Sequence, residues 1–299
     1  MTDIDRLVEN GLVQRGVPLG PLTTYKAGGP AAYFAEVGSS DDLTALIESG
    51  LTSRHPLLVL GRGSNLVVAD SGFDGLVIKL VGEFAEASVS GTRVEAGGAT
   101  PLPRLARLAV DAGLSGLEFF VGIPGSVGGA VRQNAGCFGT EAKDCLVVAA
   151  IVDLVSGEMS QRDPATLDLA YRHSNVAAGE LVVSATFQGH RGDPAAGKEK
   201  MREIIRWRKE HQPGGTLNAG SVFKNPPGIA AGELIDSLGL KGMEVGGVAV
   251  SEKHANFFVA GPEATSDDIR RLVQVVKDTV FQRSGTILEP EIQFVGFET

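Results

Sequence analysis

Short apolar segments separated by turn residues make up most of the chain between residues 32 and 187. Runs of about four to eight apolar or alternating positions, bounded by Gly, Pro, Asn or Asp, predict β-strands. The predicted strands are Tyr33–Val37, Leu57–Leu60, Leu66–Val68, Leu76–Leu80, Arg93–Ala96, Leu146–Leu154 and Leu181–Phe187. Apolar residues at helical spacing predict helices at Asp41–Thr52 and Pro101–Ala112, and a short helix within residues 1–20 that leads into a glycine- and proline-rich connection.

The pattern changes after the segment Gly189–Gly197, which its glycines and proline indicate to be an interdomain linker. This segment resembles the start of a Walker loop, but Glu199 stands where a Ser or Thr would have to hold magnesium. Behind it the predicted helices are Lys198–His211, Ala230–Leu238 and Asp267–Gln282, the last capped by Ser266, and the predicted strands are Val248–Ser251, Phe257–Ala260 and Ile292–Val295. The expected fold class is α+β, with a smaller C-terminal domain.

Composition excludes several classes of protein. With 27 Lys and Arg against 36 Asp and Glu the formal net charge is −9, which argues against a nucleic-acid partner. We see no signal peptide and no segment that could insert into a membrane, so we expect a cytoplasmic protein. Cys137 and Cys145 do not form a disulfide framework, and the five histidines lack metal-binding spacing, so no metal is expected.

Glycine is in excess, at 40 of 299 residues or about 13% against an average of about 7%. Two stretches concentrate it: Gly61–Asn65, directly after a predicted strand, and Phe119–Ala130, which continues into Arg132–Gly136. Glycine-rich backbone presents amides that can hold a phosphate, at a loop or at a helix N-terminus. The first stretch lacks the Rossmann pattern because Leu66 replaces the third glycine. It is open at this point whether either stretch binds an anion or is only a tight turn.

Three polar side chains stand in unusual surroundings. Arg172, in the motif Tyr171–Ser174, can clamp a carboxylate, although a lone arginine is commonly a solvated surface charge. Ser221 lies between Ala-Gly and an apolar pair followed by Lys-Asn-Pro, so it is either a reactive hydroxyl or a turn residue. Glu291 alternates with apolar neighbours near the end of the chain, where a carboxylate is either functional or a charge on an edge strand.

Taken together and in order, six motifs resemble the UDP-N-acetylenolpyruvoylglucosamine reductase family, flavoenzymes of bacterial peptidoglycan precursor synthesis. The matching motifs are Thr23–Pro30, Leu60–Leu66, Gly122–Ala130, Tyr171–Ser174, Ala219–Pro226 and Leu288–Ile292. The resemblance implies a two-part FAD-binding region of the vanillyl-alcohol-oxidase (PCMH) type, with subdomains at residues 1–75 and 76–195, and a C-terminal substrate-binding domain at residues 196–299. Only 48 residues separate Arg172 from Ser221, which fits the shorter subclass of the family that lacks a tyrosine-bearing loop.

The resemblance also implies the chemistry. NADPH would reduce FAD, and flavin N5 would then deliver hydride to the enolpyruvyl group of UDP-N-acetylglucosamine enolpyruvate, giving UDP-N-acetylmuramate. Ser221 matches the proton donor, and Arg172 with Glu291 matches the pair that stabilises charge on the substrate carboxylate. The residues expected to bind FAD are Gly61, Arg62, Gly63, Ser64, Asn65, Leu66, Gly122, Ile123, Gly125, Ser126, Gly128, Gly129, Ala130, Asn134 and Gly136. Those expected to bind substrate are Lys224, Asn225, Tyr171 and His211.

Two other functions are compatible with parts of this pattern. An FAD-dependent oxidase of small alcohols or sugars would keep the glycine-rich loops but would not need Ser221, Arg172 and Glu291 together. A protein that binds a nucleotide sugar without catalysis would hold no flavin. For the reductase function, the expected ligands are NADPH, FAD and the sugar nucleotide, and no obligate protein partner is expected.

Overall fold

The computed structural model describes residues 3–298. Its α-helices are α1 (Asp3–Glu9), α2 (Ser40–Glu48), α3 (Leu51–Arg54), α4 (Leu102–Asp111), α5 (Val127–Gln133), α6 (Pro194–His211), α7 (Ala231–Ser237) and α8 (Ser266–Ser284). Its strands are β1 (Val13–Pro18), β2 (Pro30–Val37), β3 (Leu57–Val59), β4 (Leu66–Val68), β5 (Phe73–Leu80), β6 (Ala87–Ser90), β7 (Arg93–Gly97), β8 (Leu114–Ser115), β9 (Gly136–Cys137), β10 (Thr140–Glu141), β11 (Leu146–Asp153), β12 (Met159–Arg162), β13 (Glu180–Gln188), β14 (His190–Arg191), β15 (Glu244–Val245), β16 (Val248–Val250), β17 (Phe258–Ala260) and β18 (Gln293–Val295).

The chain divides into two compact units. Unit 1 comprises the residues up to Arg15, Tyr33–Gly61 and Asp74–Trp207. Unit 2 comprises Gly16–Ala32, Arg62–Phe73 and the chain from Arg208 onward. The three-part division at residues 75 and 195 that we expect from the sequence stays a prediction.

Unit 1 contains a five-stranded antiparallel sheet with the order β12-β11-β13-β7-β6. Helix α4 covers it with one continuous apolar face, because its buried positions follow the spacing i, i+3, i+4, i+7, i+8. These positions are Leu102, Leu105, Ala106, Ala109 and Val110. They form one core with the sheet and with α5. A second core lies beneath α1, α2 and α3, against the sheet in which β3 and β5 are parallel.

Unit 2 is built around α8, whose apolar residues face a single core. The buried positions include Ile269, Leu272, Val273, Val276 and Val280, as the helical spacing of the sequence predicts. Strands β15, β16 and β17 form an antiparallel sheet beside it, and β18 pairs in parallel with β4. The pairing of β18 with β4 joins segments that are more than 220 residues apart in sequence.

The structure corrects several sequence predictions. The connection after the first helix contains strand β1, and residues 1 and 2 of that predicted helix lie outside the described residues. The helix expected at Asp41–Thr52 breaks into α2 and α3 at Gly50, which has a φ of +67°. Part of the expected linker is helical, because α6 begins at Pro194. Thr265 rather than Ser266 caps α8: its side chain accepts a hydrogen bond from the Asp268 amide. No α-helix within residues 3–298 combines the length and apolar character needed to cross a bilayer.

Candidate active site

The loop Gly61–Asn65 connects β3 to β4 and keeps its amides unpaired. None of these five N–H groups donates a hydrogen bond to another of the residues 3–298. Gly63 has a φ of +62°, and a Cβ there would lie 2.3 Å from the Leu22 carbonyl oxygen, so only glycine fits. Its own carbonyl accepts a hydrogen bond from the Thr24 amide at 3.0 Å. A row of free amides held in a fixed loop is the arrangement that binds phosphate groups.

The second glycine-rich stretch contacts this loop within unit 1. A Cβ on Gly61 would lie only 2.8 Å from the Ser126 Oγ, so the loop needs glycine for this approach as well. Gly129 is exposed, and a Cβ there would meet only the same Ser126 Oγ at 3.6 Å. Both observations fit a flat or anionic ligand resting on backbone, which is what FAD requires.

The first turn of α5 does not offer the amides that we expect from its position. The Val127 amide donates to the Thr100 carbonyl at 3.0 Å, and the Gly128 amide donates to the Gly98 carbonyl at 2.8 Å. These two donors are used inside the protein, so they are not free for a phosphate. The structure therefore assigns the free amides to Gly61–Asn65 rather than to this helix N-terminus.

The other predicted cofactor residues of this stretch have mixed exposure. Gly122 ends a 3-10 helix, Glu118–Gly122, and is buried. Ile123 is half-buried, Ala130 is buried in α5, and the Gly125 carbonyl accepts a hydrogen bond from the Leu102 amide. Direct contact of these residues with FAD stays a prediction.

Arg172 lies in a tight turn in which Ala170 pairs with His173. Its φ is +53°, a left-handed conformation that a residue with a side chain adopts only when its surroundings hold it there. Its Nη2 donates to the Gly136 carbonyl at 3.2 Å, and its guanidinium lies 5.1 Å from the centre of the Tyr171 ring. Both contacts fix the guanidinium before any ligand arrives.

The Asn134 side chain supports this turn by a hydrogen bond to Ala170. It is fully buried, and its Nδ2 donates to the Ala170 carbonyl at 2.9 Å and to Glu141 Oε2 at 3.1 Å. Its Oδ1 accepts from the Lys143 amide at 2.9 Å. The side chain predicted to bind FAD is thus used within unit 1. Its support of the turn was missed because the sequence gives no signal for a contact across 36 positions.

Ser221 and Glu291 lie in two segments of unit 2 that pair with each other. Phe223 and Pro290 form an antiparallel bridge, and the Glu291 amide donates to the Val222 carbonyl at 2.7 Å. On the other side of the bridge the Lys224 amide donates to the Glu289 carbonyl at 2.9 Å. The pairing therefore places Val222, the residue after Ser221, opposite Glu291, although 69 residues lie between Ser221 and Glu291 in sequence.

The Gly61–Asn65 loop reaches the same pair of segments. Asn65 Nδ2 donates to the Glu291 carbonyl at 3.2 Å, and the Asn65 carbonyl accepts from the Gln293 amide at 3.0 Å. Asn65, Val222 and Glu291, which belong to three separate sequence motifs, thus meet within unit 2. These contacts join the glycine-rich loop to the segments that carry Ser221 and Glu291.

The Ser221 hydroxyl is available for chemistry. It is half-buried and makes no hydrogen bond with another of the residues that the structure describes. The preceding Gly220 has a φ of +77°, and its amide donates to Asn218 Oδ1 at 3.0 Å, which forms a turn before the serine.

Comparisons with known proteins identify the family. Residues 31–161 match the family model of an FAD binding domain, and residues 212–295 match that of the UDP-N-acetylenolpyruvoylglucosamine reductase C-terminal domain. The reductase of this name from Paramagnetospirillum magneticum is 41% identical over 286 residues, which cover 96% of this chain and 92% of the relative. The one from Erythrobacter litoralis is 42% identical over 96% of this chain and 88% of its own.

Comparison with solved structures indicates the same family. The crystal structure of the reductase from Thermus caldophilus superposes with a TM-score of 0.83 at 37% identity, covering 95% of this chain and 98% of that one. This chain belongs to the UDP-N-acetylenolpyruvoylglucosamine reductase family. The family resemblance, the α+β class with an FAD-binding region, and FAD as cofactor are thereby confirmed. Phl p 4, a glucose dehydrogenase, shares only the fold, with a TM-score of 0.51 at 12% identity.

The predicted substrate-binding residues differ in their exposure and in their contacts. Asn225 Oδ1 accepts a hydrogen bond at 3.0 Å from the amide of Ala231, the first residue of α7. Lys224 Nζ lies 3.5 Å from Glu289 Oε2, and its side chain is about one-third exposed. His211, at the end of α6, and Tyr171 are exposed. Their contacts with substrate stay predictions. Among residues 3–298 no group of His, Cys, Asp and Glu side chains could hold a metal ion.

Proposed function

We propose that this chain catalyses the NADPH-dependent, FAD-mediated reduction of UDP-N-acetylglucosamine enolpyruvate to UDP-N-acetylmuramate. Its relatives are named UDP-N-acetylenolpyruvoylglucosamine reductases, which supports the proposed substrate. The observation that carries the proposal is that Glu291 contacts both Asn65 and Val222, the residue after Ser221, in unit 2 of a chain of this family. An FAD-dependent oxidase of small alcohols or sugars has no use for these contacts, and the family membership does not favour it.

The residues that would hold FAD are those whose backbone is open to it. The free amides of Gly61–Asn65 would bind the pyrophosphate, and Ser126 and Gly129 would lie against the cofactor from the second glycine-rich stretch. When bound and reduced by NADPH, FAD supplies the hydride for the reaction. The remaining catalytic work falls to side chains of the chain itself.

Ser221 is proposed to supply the proton. Reduction of the enolpyruvyl double bond adds hydride to its terminal carbon and leaves the electron pair on the carbon next to the carboxylate. The Ser221 hydroxyl donates its proton to that carbon, and the serine then regains a proton from solvent. A hydroxyl is a weak acid in water, but it is adequate against a much more basic carbanion when it is held in place.

Arg172 and Glu291 are proposed to stabilise the charge that develops on the substrate carboxylate. The Arg172 guanidinium is preorganised by Gly136 and Tyr171, so it needs no reorganisation when that charge appears. A protonated Glu291 would donate a hydrogen bond to the same oxygens. Lys224 and Asn225, helped by His211, are proposed to contact the nucleotide phosphates or to orient Ser221, and Tyr171 is proposed to bind substrate. Near the phosphates, local cations must outweigh the net charge of −9.

We also propose the finer organisation that the family resemblance implies. Residues 1–75 and 76–195 would be the two FAD-binding subdomains, and residues 196–299 the substrate-binding domain. The enzyme would act in the cytoplasm without an obligate protein partner, as a member of the shorter subclass without the tyrosine-bearing loop.

The test uses the purified full chain. We expect a yellow protein with one FAD per chain, and NADPH oxidation that depends on added UDP-N-acetylglucosamine enolpyruvate. Oxidation of simple sugars or alcohols with oxygen, without turnover of the enolpyruvyl nucleotide, would show the oxidase function instead. A colourless protein that binds the nucleotide sugar would exclude both enzymatic functions.

A further inference from the structure

Asn256 is a buried amide that contacts the segment after Ser221 on three atoms. It lies between β16 and β17 in unit 2 and is only 3% exposed. Its side-chain Oδ1 accepts from the Phe223 amide at 2.9 Å, and its Nδ2 donates to the Phe223 carbonyl at 2.8 Å. Its backbone carbonyl accepts from the Val222 amide at 2.8 Å. The side chain thus pairs with Phe223 as a neighbouring strand would.

Together with the Glu289–Glu291 segment, Asn256 fixes both edges of residues 222 and 223. The Val222 carbonyl accepts from the Glu291 amide on one edge, and both polar backbone groups of Phe223 are bound by Asn256 on the other. The backbone of Asn256 is also fixed, because its N–H donates a hydrogen bond to His254 Nδ1 at 3.2 Å. The residue immediately before this doubly bound stretch is Ser221, whose hydroxyl has no partner among the described residues. The position of that hydroxyl therefore depends on the stretch behind it.

We infer that Asn256 is a positioning residue for the proton donor Ser221, an inference that rests on the proposed function. Asn256 does not touch the reacting atoms in this account. It keeps the backbone of residues 222 and 223 in one conformation, so that the Ser221 hydroxyl points to the carbon it protonates. A misplacement of about 1 Å at a reacting group lowers a rate by about 100-fold. Removing the amide leaves two polar groups of Phe223 unpaired in a buried site, which favours a shift of this backbone.

The experiment compares Asn256→Ala and Asn256→Asp with the control variant Val276→Ala. Val276 is fully buried in the core that also contains Val222 and Phe223, but it makes no hydrogen bond to residues 221–223. Its substitution therefore lowers stability while the hydrogen bonds from Asn256 to this stretch remain in place. Asn256→Asp keeps the acceptor for the Phe223 amide and loses the donor to its carbonyl. If Asn256→Ala does not fold, the same measurements are made on Asn256→Asp alone.

Two readouts are measured for each variant with FAD bound. The first is hydrogen exchange at the Phe223 amide, which we expect to accelerate at least about 10-fold in Asn256→Ala and less in Asn256→Asp, because the acceptor remains. The second is the pair of half-reactions. Flavin reduction by NADPH should change by less than about 2-fold, whereas oxidation of the reduced flavin by the enolpyruvyl nucleotide should slow by about 100-fold with KM little changed.

Equal slowing of both half-reactions, or the same pattern in Val276→Ala, would show that Asn256 acts only through general stability and would overturn the inference. So would unchanged exchange at the Phe223 amide. Ser221→Ala separates this failure from failure of the proposed function. If Ser221→Ala leaves the second half-reaction intact, the role of Ser221 is wrong; if it slows that step and the Asn256 variants do not, only the positioning role is wrong.

Discussion

Replacing Asn134 by aspartate tests how the turn that carries Arg172 is held. The substitution keeps the size of the side chain, its tolerance of the left-handed φ of +41° and the Oδ1 that accepts from the Lys143 amide. It removes the two hydrogen bonds that Nδ2 donates, to the Ala170 carbonyl and to Glu141 Oε2. It also places a second carboxylate about as close to Glu141 as the amide now lies.

The expected loss of stability follows from these contacts. The lost hydrogen bond to a neutral carbonyl contributes about 1 kcal/mol. Two carboxylates about 3 Å apart repel by about 5 kcal/mol at an effective dielectric constant of about 20. Lys143 Nζ, 2.8 Å from Glu141 Oε2, offsets part of this repulsion. Protonation of the introduced carboxyl sets an upper limit on the remaining repulsion. That limit is the free energy needed to protonate the carboxyl at pH 7, about 1.4 kcal/mol for each pH unit above the usual Asp pKa of about 3.9. We expect Asn134→Asp to lower the free energy of unfolding by about 3 kcal/mol at pH 7.

The loss should depend on pH. The introduced carboxyl has a raised pKa in the folded state, so its destabilisation grows above the pKa of the unfolded chain and shrinks as pH falls. Between pH 7 and pH 5 the difference from the unsubstituted protein should decrease by about 2 kcal/mol. Urea denaturation followed by circular dichroism, at both pH values and with equal FAD concentrations, measures it.

Asn175→Asp is the matched control, because Asn175 is exposed in the same unit and donates one side-chain hydrogen bond, to the Thr166 carbonyl. It should lower stability by about 1 kcal/mol or less, with no comparable change between pH 7 and pH 5. An Asn134→Asp variant that behaves like Asn175→Asp would refute the reasoning, since it would mean that the buried amide does not hold the turn.

Two further predictions concern the loop and an ion pair. Gly63→Ala should lower stability and FAD content far more than Gly91→Ala: both glycines have a φ of +62°, but only at Gly63 would the new Cβ meet a backbone oxygen, that of Leu22. Equal losses in thermal unfolding and flavin absorbance would contradict this. Hydrogen bonding to Arg162 holds the pKa of Glu180 below its usual value, so this pair stabilises the fold above about pH 4.5 and loses its effect as pH falls through the lowered pKa. Glu180→Gln should therefore destabilise by about 1–2 kcal/mol at pH 7, and a difference that persists unchanged at pH 3 in urea denaturation would refute the assignment.

The regular elements of the fold could be predicted from the sequence where their pattern is strong. The apolar spacing of α4 and α8 identifies helices because each buries one face against a single core. The continuous apolar run that forms β11 identifies a strand whose two faces are buried in different cores. The helix start at Thr265 was placed one residue late, because Ser266 and Thr265 are both good capping residues and only the backbone conformation distinguishes them. Strand β1 was missed because its sequence has only one buried apolar position, Val13.

The site was predictable only in part. Family motifs pointed to Ser221, Arg172 and Glu291, and composition pointed to the glycine-rich loops. The supporting amides of Asn134 and Asn256 carry no comparable signal, because their partners lie 36 and 33 positions away and depend on tertiary structure. The unavailability of the α5 amides is also a tertiary effect, since their acceptors are carbonyls in the segment before α4.

The central claim, that Ser221 donates the proton to the reduced substrate, is tested most directly by the two half-reactions of Ser221→Ala in rapid mixing. We expect NADPH to reduce the bound flavin of this variant at a rate within about 2-fold of the unsubstituted protein, while reoxidation by the enolpyruvyl nucleotide slows by about 100- to 10,000-fold. Ser237→Ala, which removes an exposed hydroxyl of α7 in the same unit, should change neither rate. Reoxidation by the nucleotide at the unsubstituted rate, or an equal loss in both half-reactions, would contradict the claim.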